Sequence, residues 1–235
     1  MFKVVFVDFW KTLIAPIVDE QEYFRFRAKC LNDVLRDFGY SFDMDKTLLA
    51  HTSSRRICDN IRESFFIEIP LNLELRIFLS LLNIFNREPE FMDRLRTAYM
   101  LPLFNLTSPI KGANKFLEDL KSYGFKIGLI SNVYIDLEVI EVLKIYDLYD
   151  FLDSLTLSCI VGFRKPRPEI FKCALISLSS DPSKSIMVGD DYNTDIIGAL
   201  NLGMKAIWFT NDSSINYPFK TNSLENVLDI ILKIS

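Results

Sequence analysis

The chain has 235 residues, 49% hydrophobic, 13% aromatic and 25% charged. This is an ordinary globular composition, long enough for one or two buried cores and unlike that of a disordered chain. Lys and Arg number 27 against 31 Asp and Glu, for a net charge of -4, so neither non-specific nucleic-acid binding nor attachment to an anionic membrane is expected. A small anionic metabolite is compatible, because one local positive pocket is enough to hold it. Cys30, Cys58, Cys159 and Cys173 form no CxxC-type cluster, which argues against zinc and against a disulfide framework. The single histidine, His51, would have to serve in any Ser–His–Asp triad. The opening MFKVVFVDFW is interrupted at Asp8, too soon for a signal peptide, and no apolar segment is long enough to cross a bilayer. A cytoplasmic monomer or homodimer is expected.

In chain order, Lys3 to Asp8 (KVVFVD) is a continuous apolar run ending in a carboxylate, which predicts a strand buried on both faces. No strand is predicted between Ile14 and Phe104. Asp19 to Tyr40 instead places Phe24, Leu31, Val34, Leu35 and Phe38 at helical spacing. Leu49 to Phe65, Leu71 to Asn86 after Pro70, and Glu88 to Tyr99 are three more predicted helices. Residues 15–103 therefore read as a helical bundle inserted after the first strand. Lys111 to Tyr123 is a predicted helix with Phe116, Leu117 and Leu120 on one face and Gly124 as its stop. The second and third double-buried strands are Lys126 to Ser131 (KIGLIS) and Ser185 to Asp190 (SIMVGD). A helix from Tyr192 to Leu202, closed by Gly203, and a strand from Lys205 to Phe209 follow. This alternation predicts an α/β doubly wound parallel sheet, built from residues 1–14 and 104–235. Ligands of such sheets sit beyond the carboxyl ends of the strands, so Asp8, Ser131 and Asp190 are expected to converge at one edge.

At these strand ends the sequence becomes specific. VVFVDFWKTLI, LISN (129–132), GFRKPRPEIF (162–171) and MVGDDYNTDIIGALNLG (187–203) resemble, in order and spacing, the four motifs of the haloacid dehalogenase superfamily. The insertion resembles that family's helical cap, and the short span from Ser131 to Lys165 leaves no room for its other cap type. The resemblance implies a Rossmann-like core, a hydrolase reaction through an aspartate nucleophile, and Mg²⁺ as cofactor. It assigns Asp8, Ser131 and Lys165 to catalysis, and Thr12, Ser131, Asn132 and Lys165 to substrate binding. Asp8, the backbone carbonyl of Trp10, Asp190, Asp191 and Asp195 fall on the metal side.

The residue types suit that chemistry. A carboxylate can attack phosphorus and form an aspartyl intermediate. Mg²⁺ takes oxygen ligands and lets two anions approach. Ser131 can hold phosphoryl oxygens, and Lys165 can neutralise clustered acids. The same residues have plainer uses: Ser131, Asn132 and Asp190 as helix caps, Asp195 as a first-turn acid, and Lys165 as a surface lysine.

Two positions depart from the family pattern. The phosphatase branch carries a second aspartate two residues after the nucleophile, as general acid and base; here it is Trp10, and the glycine that usually follows is Lys11. Loss of a general acid–base costs about 10²–10⁴-fold in rate. One consequence is a substrate with a good leaving group, such as an acyl or aryl phosphate. Another is 2-haloacid dehalogenation, whose branch carries an aromatic residue at this position but works without metal and lacks Gly-Asp-Asp. A third is a weak binding or regulatory protein. The acid cluster ranks Mg²⁺-dependent phosphoryl chemistry first. His51, Arg55 and Arg56, with Tyr23, Tyr134 and Arg164, are further candidates for touching a substrate anion.

Overall fold

The computed structural model describes residues 2–234, and the chain divides into two compact units. Unit 1 comprises Met1–Ala15 and Ser108–Ser235, and unit 2 comprises Pro16–Thr107. The chain passes between them in two short strands, β2 (Ile14–Pro16) and β3 (Thr107–Pro109), which pair with each other. Neither strand is marked by the sequence pattern, since three residues carry no periodicity.

Unit 1 is built on a six-stranded sheet. Its strands are β1 (Val4–Val7), β4 (Lys126–Ser131), β5 (Ser154–Leu157), β6 (Ser185–Gly189), β7 (Lys205–Phe209) and β8 (Lys220–Thr221), in the order β5-β4-β1-β6-β7-β8. Every pairing is parallel: Val4 lies opposite both Lys126 and Ser185, and Gly128 opposite Ser154. The central strands β1 and β6 are buried at every residue, as continuous apolar runs require in a sheet covered on both faces. One face packs Phe6, Met187 and Trp208 against Ile170, Phe171 and Ala174 of helix α8 (Pro168–Ser177). Besides α8, the helices α6 (Leu137–Ile145) and α10 (Val227–Ile234) and strand β5 go beyond the predicted elements. β5 is only SLTL, two of whose residues are polar, so no apolar run betrays it.

Unit 2 contains four helices among the described residues: α1 (Glu20–Asp37), α2 (Met44–Phe65), α3 (Leu71–Leu81) and α4 (Pro89–Asn105). Helix α1 begins where the Asp19 carboxylate accepts from Glu22 N at 2.8 Å. Helix α2 starts earlier than its apolar pattern because Asp43 caps it, accepting from Lys46 N at 2.6 Å. Helix α4 runs past Tyr99 and carries Pro102 inside it, which moves the return crossing to residue 107, beyond the boundary read from sequence. His51 is fully buried, edge-on to the rings of Phe24 and Tyr99 at 5.7 and 5.5 Å.

Candidate active site

Adjacent parallel strands end at the same level, and this alone gathers distant residues. Asp8, one residue beyond β1, is held in register by its N–H, which donates to the Val188 carbonyl at 2.9 Å. Ser131, the last residue of β4, donates its hydroxyl to Asp8 Oδ1 at 3.1 Å. Lys165 Nζ reaches the same oxygen at 2.6 Å, the Ile130 carbonyl at 2.8 Å and Asp195 Oδ1 at 2.6 Å. Lys165 is only 2% exposed, which rules out the plain reading of a surface lysine. It stays charged because Asp195 and Asp8 outweigh its burial.

Asp8, Asp190 and Asp195 present carboxylate oxygens all within 4.8 Å of one another. Three carboxylates against one ammonium leave an excess of negative charge in a buried place. Burial pushes the Asp190 carboxyl up to about 7, helped by Asp8 and Asp195. Asp195 is likewise raised, first by burial, with the neighbouring Asp8 adding to it. Asp195 comes this close because residue 189 is glycine: a Cβ there would lie 2.2 Å from Asp195 Oδ2. That oxygen accepts from Asp191 N at 3.1 Å.

Three of the residues expected in the site have other contacts in the structure. Asp191 does not join the acid cluster. Its carboxylate faces the following π-helical turn (Tyr192–Ile197), accepting from Asn193 N at 2.9 Å and Thr194 N at 2.8 Å; the capping role lies here and not at Asp190. Thr12 is fully buried and its hydroxyl meets no partner among the described residues, so it offers no surface to a substrate. Asn132 spends its amide on the backbone of residue 165, donating to the Lys165 carbonyl at 3.0 Å and accepting from Lys165 N at 2.7 Å. It thereby braces the backbone of residue 165, with one N–H of its amide left over.

The turn after Asp8 is tight. Leu13 N and Ile14 N both donate to the Phe9 carbonyl, at 3.0 and 3.1 Å, and Lys11 N donates to the Ile14 carbonyl at 2.7 Å. Lys11 has φ 58, the left-handed conformation that suits the glycine expected at this position. Trp10 is half-buried in the same turn. One residue near the site carries no sequence signal: Trp208, on β7, donates its indole N–H to the Asp190 carbonyl at 2.8 Å. Of the candidate residues in unit 2, Arg55 pairs with Asp59 at 2.9 Å, Tyr23 is buried against the Arg27 guanidinium, and Arg56 is exposed.

The donor set fits a small hard cation. All donors are carboxylate oxygens, and Asp8 Oδ2 and both oxygens of Asp190 have no hydrogen-bond partner among the described residues. Oxygen-only ligation and an uncompensated negative charge are what Mg²⁺ requires.

Fold and site together define a doubly wound α/β protein with an acid cluster and a buried lysine at the carboxyl ends of its central strands. The chain belongs to the haloacid dehalogenase-like hydrolase family, whose model matches residues 40–209. A glyceraldehyde 3-phosphate phosphatase of Methanothermobacter thermautotrophicus is 39% identical over 104 residues, 44% of this chain and 46% of that protein. The chain thus spans about half the length of the curated relatives it matches. Among solved structures, the 2-haloacid dehalogenase of Pseudomonas syringae pv. Tomato superposes with TM-score 0.73 over 100% of both chains at 19% identity. The magnesium-bound HAD-hydrolase YfnB of Bacillus subtilis superposes with TM-score 0.67 over 98% of both at 18% identity. These two share the fold. No helix among the described residues is long and apolar enough to cross a membrane.

Proposed function

We propose that this protein is a cytoplasmic hydrolase that removes the phosphoryl group from a small phosphorylated metabolite, with Asp8 as nucleophile and Mg²⁺ as cofactor. Unit 1 is the catalytic core and unit 2 the cap that selects the substrate. The observation that carries this reading is the charge deficit: Asp8, Asp190 and Asp195 surround a single buried ammonium. Asp8, Asp190 and the Trp10 carbonyl would hold the ion, with Asp195 behind them. A divalent ion there supplies charge stabilisation to the phosphoryl oxygens.

Ser131 and Lys165 both engage Asp8 Oδ1; of the two carboxylate oxygens, one would face the cation and the other attacks phosphorus. The bond from that attacking Asp8 oxygen to phosphorus forms as the bond from phosphorus to the leaving oxygen breaks, and the leaving group departs with the electron pair. Water then attacks phosphorus, releases inorganic phosphate and restores the Asp8 carboxylate. Residue 10 carries no carboxyl to protonate the departing oxygen, which favours acyl and aryl phosphates over alkyl esters. The triose phosphate named for the archaeal relatives is an alkyl ester and belongs in the test as a contrast.

The test is a panel of acyl, aryl, sugar and triose phosphates with Mg²⁺. Asp8→Asn is expected to lower turnover of the best substrate by at least about 10³-fold while leaving the fold intact. No difference between the two proteins on any member refutes the proposal. The aromatic Trp10 favours a second reading, dehalogenation of a 2-haloacid. Against it, the unpartnered Asp190 carboxylate would repel a haloacid carboxylate. Halide release that persists in EDTA would select it.

A further inference from the structure

Asp190 is the weak point of the acid cluster. Asp8 is tied by Ser131 and Lys165, and Asp195 by Lys165 and the Asp191 N–H. The Asp190 carboxylate has no hydrogen-bond or ion-pair partner among the described residues, and it lies next to two like charges whose effect Lys165 and Lys11 offset only in part. Only its backbone is restrained, and the restraint is unusual. Gly189 lies opposite Trp208 in the β6–β7 pairing, and the ladder ends there. Trp208 N donates to the Phe219 carbonyl at 2.9 Å and Thr210 N, just past β7, to the Thr221 carbonyl at 2.8 Å, so both face β8. The Asp190 carbonyl is taken instead by the Trp208 indole N–H at 2.8 Å.

That indole is itself wedged. Its ring meets Tyr192, on the turn that follows the acid pair, at 4.9 Å, and Tyr192 meets Tyr217 at 5.9 Å. The Tyr217 hydroxyl donates to the Ala206 carbonyl at 2.8 Å, closing the clamp back onto β7. Trp208 is 3% exposed, which limits the water available to its N–H. Fixing the carbonyl restrains ψ at residue 190, and with it the direction in which Cβ leaves the chain, so that the carboxylate swings only about χ1 and χ2.

We propose that Trp208 is a positioning residue that holds the Asp190 carboxylate in the cation site against repulsion from Asp8 and Asp195. The proposal rests on the reading that this cluster binds a divalent cation. Mn²⁺ serves as the probe, with free ion measured by electron paramagnetic resonance on the 235-residue chain. Asp190→Asn tests the site itself, and Trp208→Phe keeps the aromatic contact while removing the N–H. Loss of one hydrogen bond is expected to weaken Mn²⁺ binding about five- to tenfold in Trp208→Phe. Affinity equal to wild type overturns the positioning role, even if the urea midpoint falls.

A second measurement needs no substitution at residue 208. The chain has two tryptophans, so its indole ¹H–¹⁵N spectrum has two resonances, assigned with Trp10→Phe. Adding Mg²⁺ should shift the Trp208 resonance and slow its exchange with solvent; an unmoved resonance overturns the proposal. A wild-type protein that binds no Mn²⁺ refutes the cation reading and this inference with it. Binding lost in Asp190→Asn but intact in Trp208→Phe refutes the inference alone.

Discussion

Each unit buries a cluster of acids around a cationic side chain, and the two clusters are wired in opposite ways. In unit 2 the hub is Arg62, 1% exposed. It donates through Nε to Glu68 at 2.9 Å, through Nη1 to Asp59 at 2.8 Å and Glu74 at 2.9 Å, and through Nη2 to the Ile69 carbonyl at 2.7 Å. The Tyr99 hydroxyl takes the other oxygen of Glu74. Every oxygen of Glu74 has a donor, as buried charges demand. In unit 1 the hub is Lys165, a point charge that satisfies one oxygen each of Asp8 and Asp195 and leaves Asp190 without a partner. The saturated cluster is closed and holds helices together. The unsaturated one has ligand positions left over.

Breaking the closed cluster should have the largest effect on stability. Arg62→Met strands Glu68 and Glu74 in a dry interior, and denaturant unfolding is expected to show a loss of about 3–5 kcal/mol. Mn²⁺ affinity of the folded fraction should not change; a parallel loss of Mn²⁺ binding would break the contrast between the two clusters. Next comes Gly189→Ala, whose added Cβ falls onto Asp195. Overpacking of this kind costs about 1–3 kcal/mol, and by displacing an acid it should also weaken Mn²⁺ binding. Unfolding and ion titration on one sample check both effects.

The unsaturated cluster should also respond to pH. Asp190 is raised to about 7 by burial and by Asp8 and Asp195. Between its ordinary value near 4 and that pKa the folded state holds more protons than the unfolded chain, so without metal this contribution to stability is lost as pH rises towards about 7. On the proposed reading Mg²⁺ takes the ionised form, so the rise in Tm it produces should grow from about pH 5.5 to about pH 8. At about five times Kd the added stability is about 1 kcal/mol. A Tm increment that shrinks with pH would remove Asp190 from the site. The smallest effect expected is a gain: Lys11→Gly relieves the left-handed backbone at φ 58 and should stabilise by about 0.5–1 kcal/mol in a urea titration.

The strands carrying Asp8, Ser131 and Asp190 were legible because a strand buried on both faces must be apolar throughout, and a polar residue then marks its end. β5 escaped because two of its four residues are Ser and Thr. The predicted helix ends at Tyr99, whereas α4 continues through Pro102 to Asn105, held by packing that a short window does not contain. Within Gly189-Asp190-Asp191, adjacency suggested that both acids face one ion. Backbone geometry instead turns Asp191 onto Asn193 N and Thr194 N and leaves the inward place to Asp195, a full turn further along.

By itself, then, the amino-acid order determines which residues end the central strands, and therefore that Asp8, Ser131 and Asp190 share an edge. Periodicity and burial are local properties that a short window contains. Only the tertiary structure decides that Lys165 is buried between two acids, that Gly189 lets Asp195 approach, and that Trp208 grips the Asp190 carbonyl. Each of these depends on segments distant in sequence or on a backbone turn, where side-chain direction follows from packing and hydrogen bonding rather than from residue type.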